Sequence, residues 1–218
     1  MHDFEILYAD EELNNLLSSI NESDPGTYMA CHGTYHAKFV AERTGSILAD
    51  LHFDKRIVEV GKIAGLLHDI GCISGKRGHA ISHAIKSSQM CEEFLCKTKC
   101  TPSEKNTIMQ AIADHSDGDN INSAVGAALL IADKTDLSKK RILNPADVNT
   151  YHKNLLEVKR VDVFLRENMM TINFVASEQF SASVLRNLWD KAFIVPAKAA
   201  QYFGCSVTFS VNGSQIKE

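Results

Sequence analysis

The stretch AGLLHDIGCISGKRGH, Ala64 to His79, decides how this chain is read. An apolar helical run, with Ile57, Val60, Ala64 and Leu67 on one period, leads into His68-Asp69 and breaks at Gly71; two cations and a further histidine follow. An imidazole beside a carboxylate at a helix end suits a metal ion. The glycine-flanked basic loop Gly75-Lys76-Arg77-Gly78 suits an anion.

Outward from that stretch the pattern is helical. Ala9 to Ile20 predicts a first short helix, His32 to Phe53 a second, and Asp54 caps a third that delivers His68-Asp69 at its C-terminal end. His79 to Cys96 is helix-like. Thr101 to Glu104, TPSE, is a capping box that opens a helix to Asp114, and Ser123 to Leu137 is an apolar helix with Asp133 in its last turns. Asn144-Pro145 restarts a helix to about Val158.

Beyond that point the texture changes to alternation, with Val161, Val163 and Leu165, then Ile172 and Phe174, and these predict strands. A helix from about Ser177 to Phe203, interrupted or kinked at Pro196, leads into VTFSV, and Asn212-Gly213 is a hairpin signal. The expected organisation is mainly α: a helical domain over residues 1–157 that carries the site, and a small C-terminal α+β appendage over residues 158–218.

Composition narrows the function classes. The chain has 218 residues, 44% hydrophobic, which suffices for a substantial core. A formal charge of -4 leaves no footprint for a nucleic-acid polymer. The start lacks the pattern of a secretory signal and no segment has the length to cross a bilayer, so no membrane partner and a cytoplasmic location are expected. Cys31, Cys72, Cys91, Cys96, Cys100 and Cys205 form no CxxC pair and read as buried thiols; Cys91, Cys96 and Cys100 lack the spacing of a zinc site.

The chemistry lies in the histidines and aspartates. His36 is inside one helix, His68-Asp69 ends the next, His79 begins another, His115 ends a fourth, and Asp133 closes a fifth. A helical bundle can aim such groups inward, and nitrogen and oxygen donors suit first-row divalent ions. The order His36, His68-Asp69, Asp133, with HAKFVAE around His36 and AGLLHDIG before the break, resembles the HD superfamily of metal-dependent phosphohydrolases over roughly residues 30–140.

The resemblance implies an HD-domain helical bundle in which His36, His68, Asp69 and Asp133 hold one metal. His79 and His115 resemble the extra histidines of the binuclear subset, with Asp69 bridging. His83, one helical turn after His79, competes with it as ligand. Two divalent ions are implied, iron or manganese first, with zinc, cobalt, nickel or magnesium as alternatives. The implied reaction is hydrolysis of a phosphoester or phosphoanhydride bond in a small nucleotide-like substrate by hydroxide formed on the metals. Asp69 serves as ligand and proton acceptor, His32 or His83 protonates the leaving group, and Lys76 and Arg77 orient phosphate, with Lys134 and Arg141 as further cations.

Departures narrow the family reading. Cys72 stands where the cyclic dinucleotide branch has lysine, and His115 stands alone without a following GYP, which argues against cyclic dinucleotides. A di-iron oxygenase of the same fold and a catalytically silent metal sensor are the alternatives. His2, His52 and His152 read as structural or surface residues. An exposed edge strand in the C-terminal segment is the sequence-level reason to expect a homodimer.

Overall fold

The computed structural model describes residues 2–23, 31–74, 82–116, 118–142, 153–178, 180 and 191–216. Within them the chain is mainly helical with a small C-terminal sheet. The helices are α1 (Asp3–Tyr8), α2 (Glu11–Ser23), α3 (Thr34–Asp50), α4 (Lys55–Leu67), α5 (His83–Leu95), α6 (Pro102–Ala113), α7 (Ala124–Lys134) and α8 (Lys191–Tyr202). The strands are β1 (Val158–Arg166), β2 (Met169–Ala176), β3 (Ser206–Val211) and β4 (Ser214–Gln215).

Local chemistry sets most of the helix starts. Asp54 accepts from the Arg56 and Ile57 amides to start α4, and Thr101 with Glu104 forms the capping box of α6. Ser123 caps α7 through the Gly126 amide. Several boundaries differ from the sequence reading; the helix expected to run to Leu137 ends at Lys134. Ser82 is extended, with ψ 152°, and caps α5 through the Ile85 amide, so the helix expected from His79 starts at His83. An additional short helix, α1, precedes α2, its six residues being too few to show a helical period.

α3 and α4 cross closely because Gly65 has no side chain. A Cβ there would stand 2.6 Å from Ala41 Cα and 2.8 Å from Ala41 N. α7, buried along nearly its whole surface, is the central helix against which α3, α4 and α6 pack. A helix apolar all round must be enclosed this way.

The C-terminal sheet has the order β1-β2-β3-β4, with β1 and β2 antiparallel, β2 and β3 parallel, and β3 and β4 antiparallel. The parallel pair needs a crossover, and α8 lies in that connection. A bulge between Val158 and Arg160 moves the alternation by one residue, so Val158 and Val161 are both buried. Val158 is already strand, which ends the expected helix from Asn144 earlier; residues 143–152 of it lie outside the described residues.

Pro196 does not interrupt α8, which continues to Tyr202; burial of Val195, Ala199 and Ala200 outweighs the one missing backbone bond. Asn212 (φ 49°) and Gly213 (φ 80°) form the expected tight turn between β3 and β4. Phe193 of α8 packs on Phe209 and Phe174, at 4.7 Å and 5.9 Å between ring centroids, and α8 also contacts α7. The buried residues of the helices and the sheet form one continuous hydrophobic cluster.

Candidate metal centre

Four helix ends and one helix interior build the centre. His68 follows α4 and His115 follows α6, and each donates Nδ1–H to the carbonyl three residues earlier, Gly65 O at 2.8 Å and Ile112 O at 2.6 Å. Carbonyls in the last turn of a helix lack intrahelical partners, so an imidazole at that position satisfies one of them and is oriented by doing so. His36 lies within α3 and is oriented from far away in sequence: its Nδ1–H donates to Asp136 Oδ2 at 2.8 Å. In the neutral imidazoles all three bonds leave Nε2 with its lone pair, aimed at the same space.

His36 Nε2 and His68 Nε2 are 3.1 Å apart. Asp69 Oδ2 lies 3.1 Å from His68 Nε2 and 3.5 Å from His36 Nε2, and Asp133 Oδ1 lies 3.2 Å from His36 Nε2 and 3.8 Å from His68 Nε2. Donors bound to one ion at roughly 2.0–2.2 Å are separated by about 3.0–3.5 Å for octahedral or tetrahedral geometry. The donor set therefore has the edge lengths of a coordination shell.

A second set adjoins it through Asp69. Its Oδ1 lies 3.3 Å from His115 Nε2 and 3.6 Å from His83 Nε2, and those two nitrogens are 3.3 Å apart. Asp69 Oδ1 is buried and receives no bond of ordinary hydrogen-bond geometry, although His115 is near enough to act on its charge. An orphaned buried carboxylate oxygen facing two imidazole nitrogens fits a cation. His36, His68, Asp69, His115 and Asp133 are all buried, while the His83 side chain is 45% exposed and forms the outer wall.

The electrostatics without an ion point the same way. Burial and Arg141 pull the His36 imidazole down, but bonds to Asp133, Asp136 and Asp69 carry it up to about 10, so a proton takes a cation's place. Burial would raise Asp69 and Asp133, yet the neighbouring histidines, with Lys134 for Asp133, hold both well below the usual carboxylate range. His115 is raised, the Asp69 carboxylate overcoming its burial. Burial lowers His83.

The structure thus brings together His36, His68, Asp69, Asp133, His115 and His83. His79, Lys76 and Arg77 lie outside the described residues. His32 stands beside the centre with its ring edge-on to His36 at 5.7 Å between centroids. Lys134 Nζ lies 2.5 Å from Asp133 Oδ2. Arg141 is buried; its Nε donates to Cys31 O at 3.1 Å and lies 3.8 Å from Asp136 Oδ2, so its charge backs the carboxylate that holds His36. Cys91 is buried with its thiol pushed up to about 12, and none of the six cysteines joins a metal-competent group among the described residues.

Sequence reasoning missed Asp136. Its position three residues after Asp133 was the available signal, since that spacing keeps both carboxylates on the side of the chain facing α3. No helix among the described residues is long and apolar enough to cross a membrane. No family model matches the chain, and no curated protein matches it.

Proposed function

We propose that this chain is a binuclear metal-dependent phosphohydrolase of the HD superfamily, cleaving a phosphoester or phosphoanhydride bond in a small nucleotide-like substrate. The observation that carries the reading is the pair of buried histidines, His36 and His68, whose lone pairs face each other at 3.1 Å beside two ionised carboxylates. His36, His68, Asp69 and Asp133 would hold one ion, and Asp69, His115 and His83 the other, in the order that resembles the family. Divalent ions bound there supply Lewis-acid charge to the phosphate oxygens and to the attacking water.

The side chains set the rest. Asp69, kept ionised, presents Oδ2 to one histidine pair and Oδ1 to the other and bridges them. His83 is at the mouth and, with its pKa lowered by burial, offers Nε2 to an ion rather than to a proton, which leaves His32, beside His36, to return a proton to a leaving group. Lys134, paired with Asp133 at the edge of the centre, would hold a substrate phosphate.

The test is metal content per chain after purification without chelator, followed on the same sample by phosphate release from a nucleotide panel. Two equivalents with release from one substrate class are expected, and Asp69→Ala should lose metal and turnover together. Oxygen uptake with an organic substrate and no phosphate release would replace this reading with the oxygenase. Bound metal with neither activity would replace it with the sensor.

A further inference from the structure

Behind the metal centre, on the opposite side of α3, lies a cavity of about 850 Å³, within the size range of small-ligand sites. The α3 residues that line it, Tyr35, Lys38, Phe39, Glu42, Arg43 and Ser46, recur at three and four residues, the outer stripe of the helix. His36 and Val40 belong to its buried side. Asp136 is the residue common to the two places: one oxygen binds His36, and the residue also lines the cavity.

The acids around this cavity are already matched. Glu42 pairs with Lys62 at 2.8 Å, Asp162 with Arg160 at 3.0 Å, and Asp136 with His36. The Arg43 guanidinium is committed to Thr135 and to the Val161 carbonyl. Lys38, Lys140 and Lys159 line the same cavity with no carboxylate partner among the described residues. The surplus is positive and lies beside aromatic rings: Tyr35 and Phe39 stack at 5.8 Å and 29°, and Lys140 stands over Tyr35.

Two buried polar atoms of lining residues also lack hydrogen bonds, Ser138 Oγ and Asp136 Oδ1. Ser138 Oγ makes no bond of ordinary geometry, although the Tyr35 phenol is near enough to feel it. Buried polar groups are rarely left so, and a polar atom of a bound molecule would satisfy the Ser138 hydroxyl.

We infer that the outer face of α3 carries a second ligand site, separate from the metal centre, for an organic anion with a planar ring, a mononucleotide being the simplest form. Tyr35, backed by Phe39, takes the ring, Lys38, Lys140 and Lys159 take the phosphate, and the buried Ser138 hydroxyl meets a polar atom of the ligand. The site does not depend on the hydrolytic reading, because none of these groups is a metal ligand.

The experiment titrates AMP, adenosine and inorganic phosphate separately into the full chain stripped of metal and kept in chelator, followed by calorimetry. AMP should bind about tenfold or more tightly than either fragment, and Lys38→Glu with Lys140→Glu should weaken it by about tenfold or more. Asp69→Ala, altered only at the metal centre, should bind AMP as the parent chain does. Absence of AMP binding to the stripped chain, AMP binding unchanged by the two lysine substitutions, or its loss in Asp69→Ala would each overturn the site. Lys140 is exposed and Lys38 half-buried with its ammonium over the Tyr8 ring, and a circular dichroism spectrum shows that the variant is folded.

Discussion

His36 Nε2 and His68 Nε2 stand 3.1 Å apart with both Nδ1 atoms committed, one to Asp136 and the other to Gly65 O. Two bare lone pairs do not tolerate that approach unless a cation lies between or beside them. A metal ion meets the requirement, and in its absence a proton on His36 does. The behaviour of the centre follows from that exchange.

Asp136 should control metal affinity without touching metal. Asp136→Asn keeps an acceptor for His36 Nδ1–H but removes the negative charge behind the ring. Loss of such a supporting carboxylate costs about 10–100-fold in metal affinity. Titration of the variant with Mn²⁺ against a competing chelator measures the change; an affinity equal to that of the parent would show that Asp136 is only packing.

Metal affinity should rise with pH. His36, raised from 6.5 to about 10, must lose its proton to bind an ion, so affinity should climb by about tenfold per pH unit up to about pH 10. For the metal-free chain the sign is the reverse. The protonated His36, and His115 in the same direction, contributes stability that is present below 6.5 and lost as pH rises through the folded value. Asp69 and Asp133, both depressed, contribute stability present above 3.8 and lost as pH falls through their folded values. Thermal melts of stripped and metal-loaded protein from pH 5 to 10 should diverge on the alkaline side, the loaded form declining less.

Gly71→Ala should damage one half of the centre. A Cβ at Gly71 would stand 2.6 Å from Ser87 N and 2.7 Å from His83 O, both backbone atoms of α5. The helix has to move outward, carrying His83 away from Asp69, at a cost of about 1–3 kcal/mol. Metal analysis should show one equivalent fewer than in the parent, with the His36 and His68 half retained.

Arg56 should matter for stability alone. It binds Asp3 at 2.8 Å, Glu59 at 2.9 Å and Glu104 at 2.6 Å, tying α1, α4 and α6 together away from the metal centre. The side chain is 36% exposed, so solvent screening reduces the clasp to about 1 kcal/mol. Arg56→Met should lower Tm by about 2–4 °C with metal content unchanged. Glu104 is held at about 2, mainly by Arg56, so this contribution is present above 4.5 and lost as pH falls towards 2. The parent and the variant should therefore converge in acid.

Much of this was legible in the residues because it is local. Helix caps at Asp54 and Thr101 act within three residues, and the β3–β4 turn is written in Asn212-Gly213. His68 and His115 are also local: each is oriented by a carbonyl three residues back, so a histidine just past an apolar helix carries its own geometry. The start of α5 was misread because His79 and His83 share a helical spacing, whereas Ser82 adopts the extended conformation of a cap.

What the sequence determined by itself was most of the helices and the donor chemistry near their ends, since propensity, capping and hydrophobic period depend on near neighbours. What only the tertiary structure decided was which donors meet. His36 takes its orientation from Asp136, one hundred residues away, and the close crossing at Gly65 and the approach of α5 at Gly71 set the separations of His36 from His68 and of His83 from Asp69. Those distances follow from how packed surfaces exclude one another, and a contact between residues far apart in the chain leaves no periodic trace along it.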